Sequence, residues 1–280
     1  MSSSAFRTAL LAALLLPALG CVEFNEECSP LVSDPDEITG YIDGNIGVTR
    51  QAVRLKNNSL GQLVAESYFH AFSNLRPEDQ PDLAVENSGG IRFESPCESR
   101  DFLRKGAVKR RHLREVVPFD NKVEVVKVSY RQLKGIFEHS VASFSPAGQA
   151  NPSGAFLQVY GVEVWVDCSK QGEAIGADGS RTREGQRVTR MRLVRKDGST
   201  VEIPINEPEA LDKGFVRLAI NSFLAGGGDD YVDLRGSEKV DSAGSFGFEL
   251  VASHFKKTYT AAAPLPAEAP ERVHLSPECK

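Results

Sequence analysis

Apolar positions recur along this chain in two periods. At Leu60, Leu63, Val64, Tyr68, Ala71 and Phe72 they fall three and four residues apart, the spacing that lines one face of a helix. Ser59 with Gln62 predicts the capping box that opens this helix. A second helix is predicted from Ser129-Tyr130-Arg131-Gln132, again a capping box, through Leu133, Ile136, Phe137 and Val141, and a last one over 246–256. Elsewhere the pattern shortens to runs and alternations that suit strands: 48–55, 82–86, 123–128, 156–166 and 215–220. Gly161 inside the fourth run marks a bulge or a close approach, and 188–203 doubles back on an Asp197-Gly198 hairpin turn. Strands and helices alternate irregularly. That predicts an α+β domain, mixed sheets covered by helices, without a linker inside residues 44–260.

The two ends break the pattern. Residues 9–20 are an apolar run too short to span a bilayer, which reads as the core of a signal peptide occupying 1–20. The run ends Pro17-Ala18-Leu19-Gly20-Cys21, which resembles the bacterial lipoprotein box, in which the cysteine is lipidated after cleavage; Ala18 and Leu19 depart from its commonest residues. The expectation is an exported protein, anchored to a membrane through Cys21, on the periplasmic or cell-surface side. Residues 21–43, acidic and with Pro30 and Pro35, read as a tether, and the Pro/Ala-rich residues 261–280 as a tail along the surface. With Cys21 lipidated, Cys28, Cys97, Cys168 and Cys279 remain, and an even number in an oxidising compartment predicts two disulfides. Three pairings stay open. The absence of a C-x-x-C pair argues against structural zinc.

The net charge of -5 argues against a general nucleic-acid binder. The basic stretch 100–114 holds Arg104, Lys105, Lys109, Arg110, Arg111 and Arg114. It suits a contact with phosphate or lipid headgroups, or the solvated face of a helix. With no regular interleaving of aromatics, the solvated face is the expectation.

Candidate chemistry gathers at predicted strand ends. Asn87-Ser88-Gly89-Gly90-Ile91-Arg92 follows the 82–86 run: glycines let the backbone approach, an amide orients, and a guanidinium meets an anion. Pro118-Phe119-Asp120-Asn121 displays a ring beside a turn. Asn221-Ser222-Phe223-Leu224-Ala225 runs into Gly226-Gly227-Gly228-Asp229-Asp230-Tyr231. Together with Arg54 ahead of Gly61, Phe137-Glu138-His139-Ser140-Val141 and Phe156-Leu157-Gln158-Val159, this order resembles the C-terminal domain of the 5′-nucleotidase and UDP-sugar hydrolase family, over about residues 46–231.

The resemblance implies a substrate-recognition domain. Phe119 and Phe223 match the phenylalanines that sandwich the nucleobase, Asp229 the carboxylate on the ribose hydroxyls, and Arg54, Asn87 and Arg92 the groups facing the phosphate end. Where the family has Asn and Gly, this chain has Gly226 and Asp230. The Asp230 charge beside Asp229 is expected to weaken binding of an anion. In the family, hydrolysis belongs to an N-terminal metallophosphatase domain with Asp-x-His and Gly-Asn-His motifs. None of His70, His112, His139, His254 and His274 lies in such a motif, and no room for that domain is seen before residue 46. The expectation is therefore that this chain binds no metal or cofactor and recognises a nucleotide or nucleoside. Divalent metals are then expected only on a separately encoded metallophosphatase partner. The alternative is a non-catalytic nucleotide-binding surface lipoprotein. A relic used only for protein contacts fits less well, because all six recognition residues are present.

Overall fold

The computed structural model describes residues 22–25, 27–97, 99–144 and 153–279. In chain order it begins with β1 (Ile38–Ile42), β2 (Ile46–Gly47), α1 (Arg50–Arg54), α2 (Ser59–His70), β3 (Leu83–Asn87), β4 (Phe102–Leu103) and β5 (Gly106–Lys109). There follow α3 (Arg110–Val116), β6 (Lys122–Ser129), α4 (Tyr130–Ser140), β7 (Leu157–Tyr160), β8 (Val162–Val166), β9 (Ala174–Ile175), β10 (Arg181–Arg183), β11 (Val188–Val194) and β12 (Thr200–Ile203). Last come α5 (Pro208–Leu211), β13 (Phe215–Asn221), α6 (Ser222–Ala225), β14 (Glu238–Phe246), α7 (Gly247–Thr258) and β15 (Val273–Leu275). The α+β class with several mixed sheets is as the pattern predicts.

A five-stranded sheet, in the order β14-β6-β13-β3-β7, separates two cores. Successive side chains of a strand point to opposite faces. Val126, Val128, Val216, Leu218, Ile220, Leu83 and Val85 therefore face one core, shared with α4 and the four-stranded sheet β12-β11-β8-β15. Val123, Val125, Ala219 and Ala84 face the other, under α2, α3 and α7. The Ser129 capping box at the start of α4 is present in both directions.

Several local expectations are corrected. Within residues 48–55 the chain forms the short helix α1 (Arg50–Arg54), capped by Thr49, rather than a strand. The cap of α2 is Asn58, whose side chain accepts from the amides of Leu60 and Gly61, so Ser59 is already inside the helix. The 156–166 run is two strands in two sheets. Gly161, at φ 78, turns the chain between them where an added Cβ would lie 3.0 Å from the Asp82 carbonyl.

Stretch 100–114 is not a solvated helix face. It forms β4, β5 and α3, and Arg110 and Arg114 are buried with their guanidinium groups over the Phe248 ring. Arg110 pairs with Glu249, and Arg114 with Asp120 at 2.8 Å. The ends also join the fold. Strand β1, inside the expected tether, pairs with β5, and β15, inside the expected surface tail, pairs parallel with β8. Polar composition hid these short strands, which pair only at sheet edges. The two disulfides are Cys28–Cys97 and Cys168–Cys279.

Candidate functional site

Register brings the candidate segments to one edge of the central sheet. Strands β3 and β13 are parallel neighbours, with Leu218 opposite Leu83 and Ala219 opposite Ala84. Both therefore run out on the same side, at Asn87 and Asn221. Strand β6 is antiparallel to β13, with Asn221 opposite Val123, so β6 begins on that side. Four segments meet there: the turn after β3 with Arg92, the approach to β6 with Phe119, α6 with Phe223, and the loop carrying Asp229.

The turn after β3 is one turn of 3-10 helix, Ser88–Gly90. Its glycines are needed for close approach. A Cβ on Gly90 would lie 1.9 Å from Glu86 Oε1, and one on Gly89 would lie 3.3 Å from the Gly154 Cα. The Ser88 hydroxyl donates to the Val53 carbonyl, and Gln158 Nε2 donates to the same carbonyl at 2.8 Å. This ties the end of α1, and with it Arg54, to the turn.

A line of amides joins the strand ends to the loop. Asn87 Nδ2 donates to Asp229 Oδ2 at 2.8 Å. Asn221 Nδ2 donates to Asn87 Oδ1 at 3.0 Å and to Glu86 Oε2 at 2.9 Å. Asn221 Oδ1 accepts from the Leu224 amide at 2.9 Å, which caps α6. Asp229 and Asp230 both take left-handed backbone, at φ 53 and 62, a conformation aspartate tolerates better than most residues. His139 braces the loop from below: Nε2 meets the Asp229 carbonyl at 2.7 Å and Nδ1 meets Glu173 at 2.6 Å. Burial pulls the His139 pKa down, but those two acceptors outweigh it and leave it raised.

Charge and rings complete the edge. Burial lowers the Arg54 pKa, the charges of Arg50 and Arg92 lower it further, and Asp229 opposes them. Two of the candidate cations and the candidate carboxylate thus share one field. The Arg92 guanidinium lies 4.8 Å over the Phe119 ring, covering one of its faces, and pairs with Glu94 at 2.6 Å. The Phe223 ring is 41% exposed and lies on Gly228, where an added Cβ would sit 2.5 Å from ring carbons. Arg54, Asn87, Arg92, Phe119, Phe223 and Asp229 are therefore linked around one edge.

Sequence reasoning gave no role to Glu86 or Asn221. The available signals were a carboxylate inside an apolar strand, and an Asn three residues before Leu224 at a helix start. A cavity of about 390 Å³ between α2 and α7, lined by Glu66, His70, His254 and Lys257, lies apart from this edge. Among the described residues no group of three His, Cys, Asp or Glu is placed to hold a metal ion.

Residues 38–234 match the family described as 5′-nucleotidase, C-terminal domain. The chain is 29% identical over 222 residues to a snake venom 5′-nucleotidase of Gloydius brevicauda, covering 78% of this chain and 32% of that protein. It is 28% identical over 222 residues to a 5′-nucleotidase of Bos taurus, covering 78% and 33%. The chain spans about a third of the length of these curated relatives. Among solved structures, the 5′-nucleotidase precursor from Thermus thermophilus superposes with a TM-score of 0.65 at 22% identity, over 86% of this chain and 40% of that one. The NAD nucleotidase of Haemophilus influenzae gives 0.60 at 19%, over 87% and 39%. At these identities the likeness shows the fold.

Proposed function

Because this chain belongs to the 5′-nucleotidase C-terminal domain family, we propose that it recognises a nucleotide or nucleoside at the edge where β3 and β13 end. Arg54, Asn87 and Arg92 take the phosphate end, Asp229 takes the ribose hydroxyls, and Phe119 and Phe223 stack the base. The observation that supports this most is the linkage of all six residues around one sheet edge. Crowded guanidinium groups are relieved by an anion, which they bind through charge-assisted pairs. Stacking on a ring contributes about 1–3 kcal/mol per base and tolerates different bases. Arg92 lies over one face of Phe119, so on this reading a base stacks on the other.

Calorimetric titration with AMP and adenosine tests the reading. Phe119→Ala and Phe223→Ala are expected to weaken both ligands, and Arg92→Ala to weaken AMP more than adenosine. Equal losses of the two ligands in Arg92→Ala would reject its phosphate role.

Hydrolysis, on this reading, is supplied by a metallophosphatase encoded apart from this sequence. This chain contributes substrate recognition. A pulldown from membrane extract that recovers no metallophosphatase would favour the non-catalytic binding protein instead.

The place of action we infer is outside the cytoplasm, on a membrane surface. Two disulfides suit an oxidising compartment. No helix among the described residues is long and apolar enough to cross a membrane. The anchor is then the lipid on Cys21, which lies outside the described residues together with the apolar run before it. Expressed in a bacterium with two membranes, the chain should fractionate with membranes, and Cys21→Ala should release it. An unchanged distribution in that variant counts against the anchor.

A further inference from the structure

Beneath the proposed site, β3 carries a carboxyl group among apolar residues. Glu86 is 4% exposed, between Val85 and Asn87. The hydroxyl of Tyr68, on α2, lies beside it on one side, and Asn221 Nδ2 donates to it at 2.9 Å from the other. Both hydrogens of the Asn221 amide are used, one on Glu86 and one on Asn87, and its oxygen caps α6, which carries Phe223. Asn87 passes the order on to Asp229. One buried carboxyl therefore orients the hub to which the phosphate-end amide, the ribose carboxylate and a stacking ring are all fixed.

We propose that Glu86 is a positioning residue that makes ligand affinity at this site depend on pH, its ionised form holding Asn221 in the orientation the site needs. The proposal rests on the nucleotide-recognition reading above. A carboxylate has only acceptors to offer; Asn221 donates to it, and the Tyr68 hydroxyl beside it has a proton to offer. A protonated carboxyl must donate from one oxygen. Either Tyr68 turns to accept, and the Asn221 bond loses its charge assistance, or the Asn221 amide rotates and gives up Asn87 and the α6 cap. Gly90 is packed against Oε1, so the group has no room to swing away.

Burial pushes the Glu86 pKa up to about 7, the hydrogen bonds from Asn221 and Tyr68 pull against that, and the Asp229 charge adds to it. The neighbouring titratable groups are few. Tyr68 is raised well above its ordinary value by burial and stays neutral. Beside Asp229 lie Arg54, which keeps its charge, and His139, whose pKa is raised above its ordinary value by Glu173 and the Asp229 carbonyl.

The signs for binding and stability are opposite. Affinity rises with pH as Glu86 ionises, and below the transition it falls by up to about tenfold per pH unit. Stability runs the other way. Between its ordinary value of 4.5 and about 7, folded Glu86 keeps a proton that the unfolded chain has lost, so stability declines as pH rises through that window.

The test is calorimetric titration of the full chain with adenosine, which carries no phosphate to titrate, from about pH 6 to about pH 8.5. The natural chain is expected to bind more tightly as pH rises. Tyr68→Phe removes a donor to the ionised form and should move the midpoint to higher pH. Glu86→Gln should bind weakly at every pH, yet melt at a higher temperature than the natural chain at about pH 8.5, a combination that a merely structural role does not produce. Adenosine binding that is flat with pH in the natural chain overturns the proposal and leaves the recognition reading standing. A Glu86→Gln variant that keeps the natural profile also overturns it and points to His139. Binding of neither adenosine nor AMP at any pH overturns the recognition reading itself.

Discussion

Purified alone and given manganese, cobalt, zinc or magnesium, the chain is expected to release no phosphate from AMP, UDP-glucose or an aryl phosphate above a blank prepared from empty vector. The physical reason is the donor set. Activating water at neutral pH and stabilising the departing oxygen calls for the paired metals on which this family relies. The described residues bring no three His, Cys, Asp or Glu together for an ion. Four of the five histidines make other contacts: His70 and His254 stack on each other at 5.1 Å, His274 stacks on Trp165 at 4.6 Å, and His139 is fixed between Glu173 and the Asp229 carbonyl. Stacking and arginine contacts hold ground state and transition state alike, so they do not raise kcat. The missing factor is large, since enzymes supply roughly a million-fold or more over the uncatalysed reaction. Chelator-sensitive turnover that disappears in Asn87→Ala would overturn this expectation. Turnover that appears only after a metallophosphatase is added would select the two-component reading.

What was legible in the sequence depended on how far each signal reached. The α4 helix was readable because Ser129, Gln132 and its apolar stripe lie within one short window, and local hydrogen bonds decide a capping box. The 48–55 segment looked like a strand because Val48 and Val53 are β-branched. Thr49 capping the Ala52 amide, and the packing of Val53, made it helical. Strand β15 was invisible for the opposite reason. Its three residues pair with β8, more than a hundred positions earlier, and nothing local marks them. In the basic stretch, Arg110 and Arg114 are charged to a pattern reader. Their partners, Glu249 and the Phe248 ring among them, arrive only when α7 folds back. The six candidate residues came from the family that the order and spacing of the motifs resemble. Glu86 and Asn221 needed coordinates, because their importance lies in which hydrogen each amide gives to which oxygen.

Replacing Cys168 and Cys279 together by Ala should lower stability by about 3–5 kcal/mol, read as a shift of the urea midpoint, because the bond closes a long loop in the unfolded chain. Their sequence separation is 111 residues, against 69 for Cys28 and Cys97. Chain entropy alone separates the two disulfides by only ~0.4 kcal/mol, because loop length enters as a logarithm. A larger measured gap therefore reports local structure. Cys168 is fully buried at the end of β8, and Cys279 lies just past β15. The strand between them and the core is short, and its docking is otherwise held by three parallel pairs with β8, by Ser276, whose amide donates to the Val166 carbonyl at 2.9 Å, and by Asn57, whose Oδ1 accepts from the Arg272 and Val273 amides. A three-residue edge strand frays readily when its far end is released. The double variant should thus lose its C-terminal segment to limited proteolysis at protease levels the natural chain resists, and the Cys28 and Cys97 double variant should not. An unshifted urea midpoint with an equally resistant C-terminus would show that β15 holds its place without the bond.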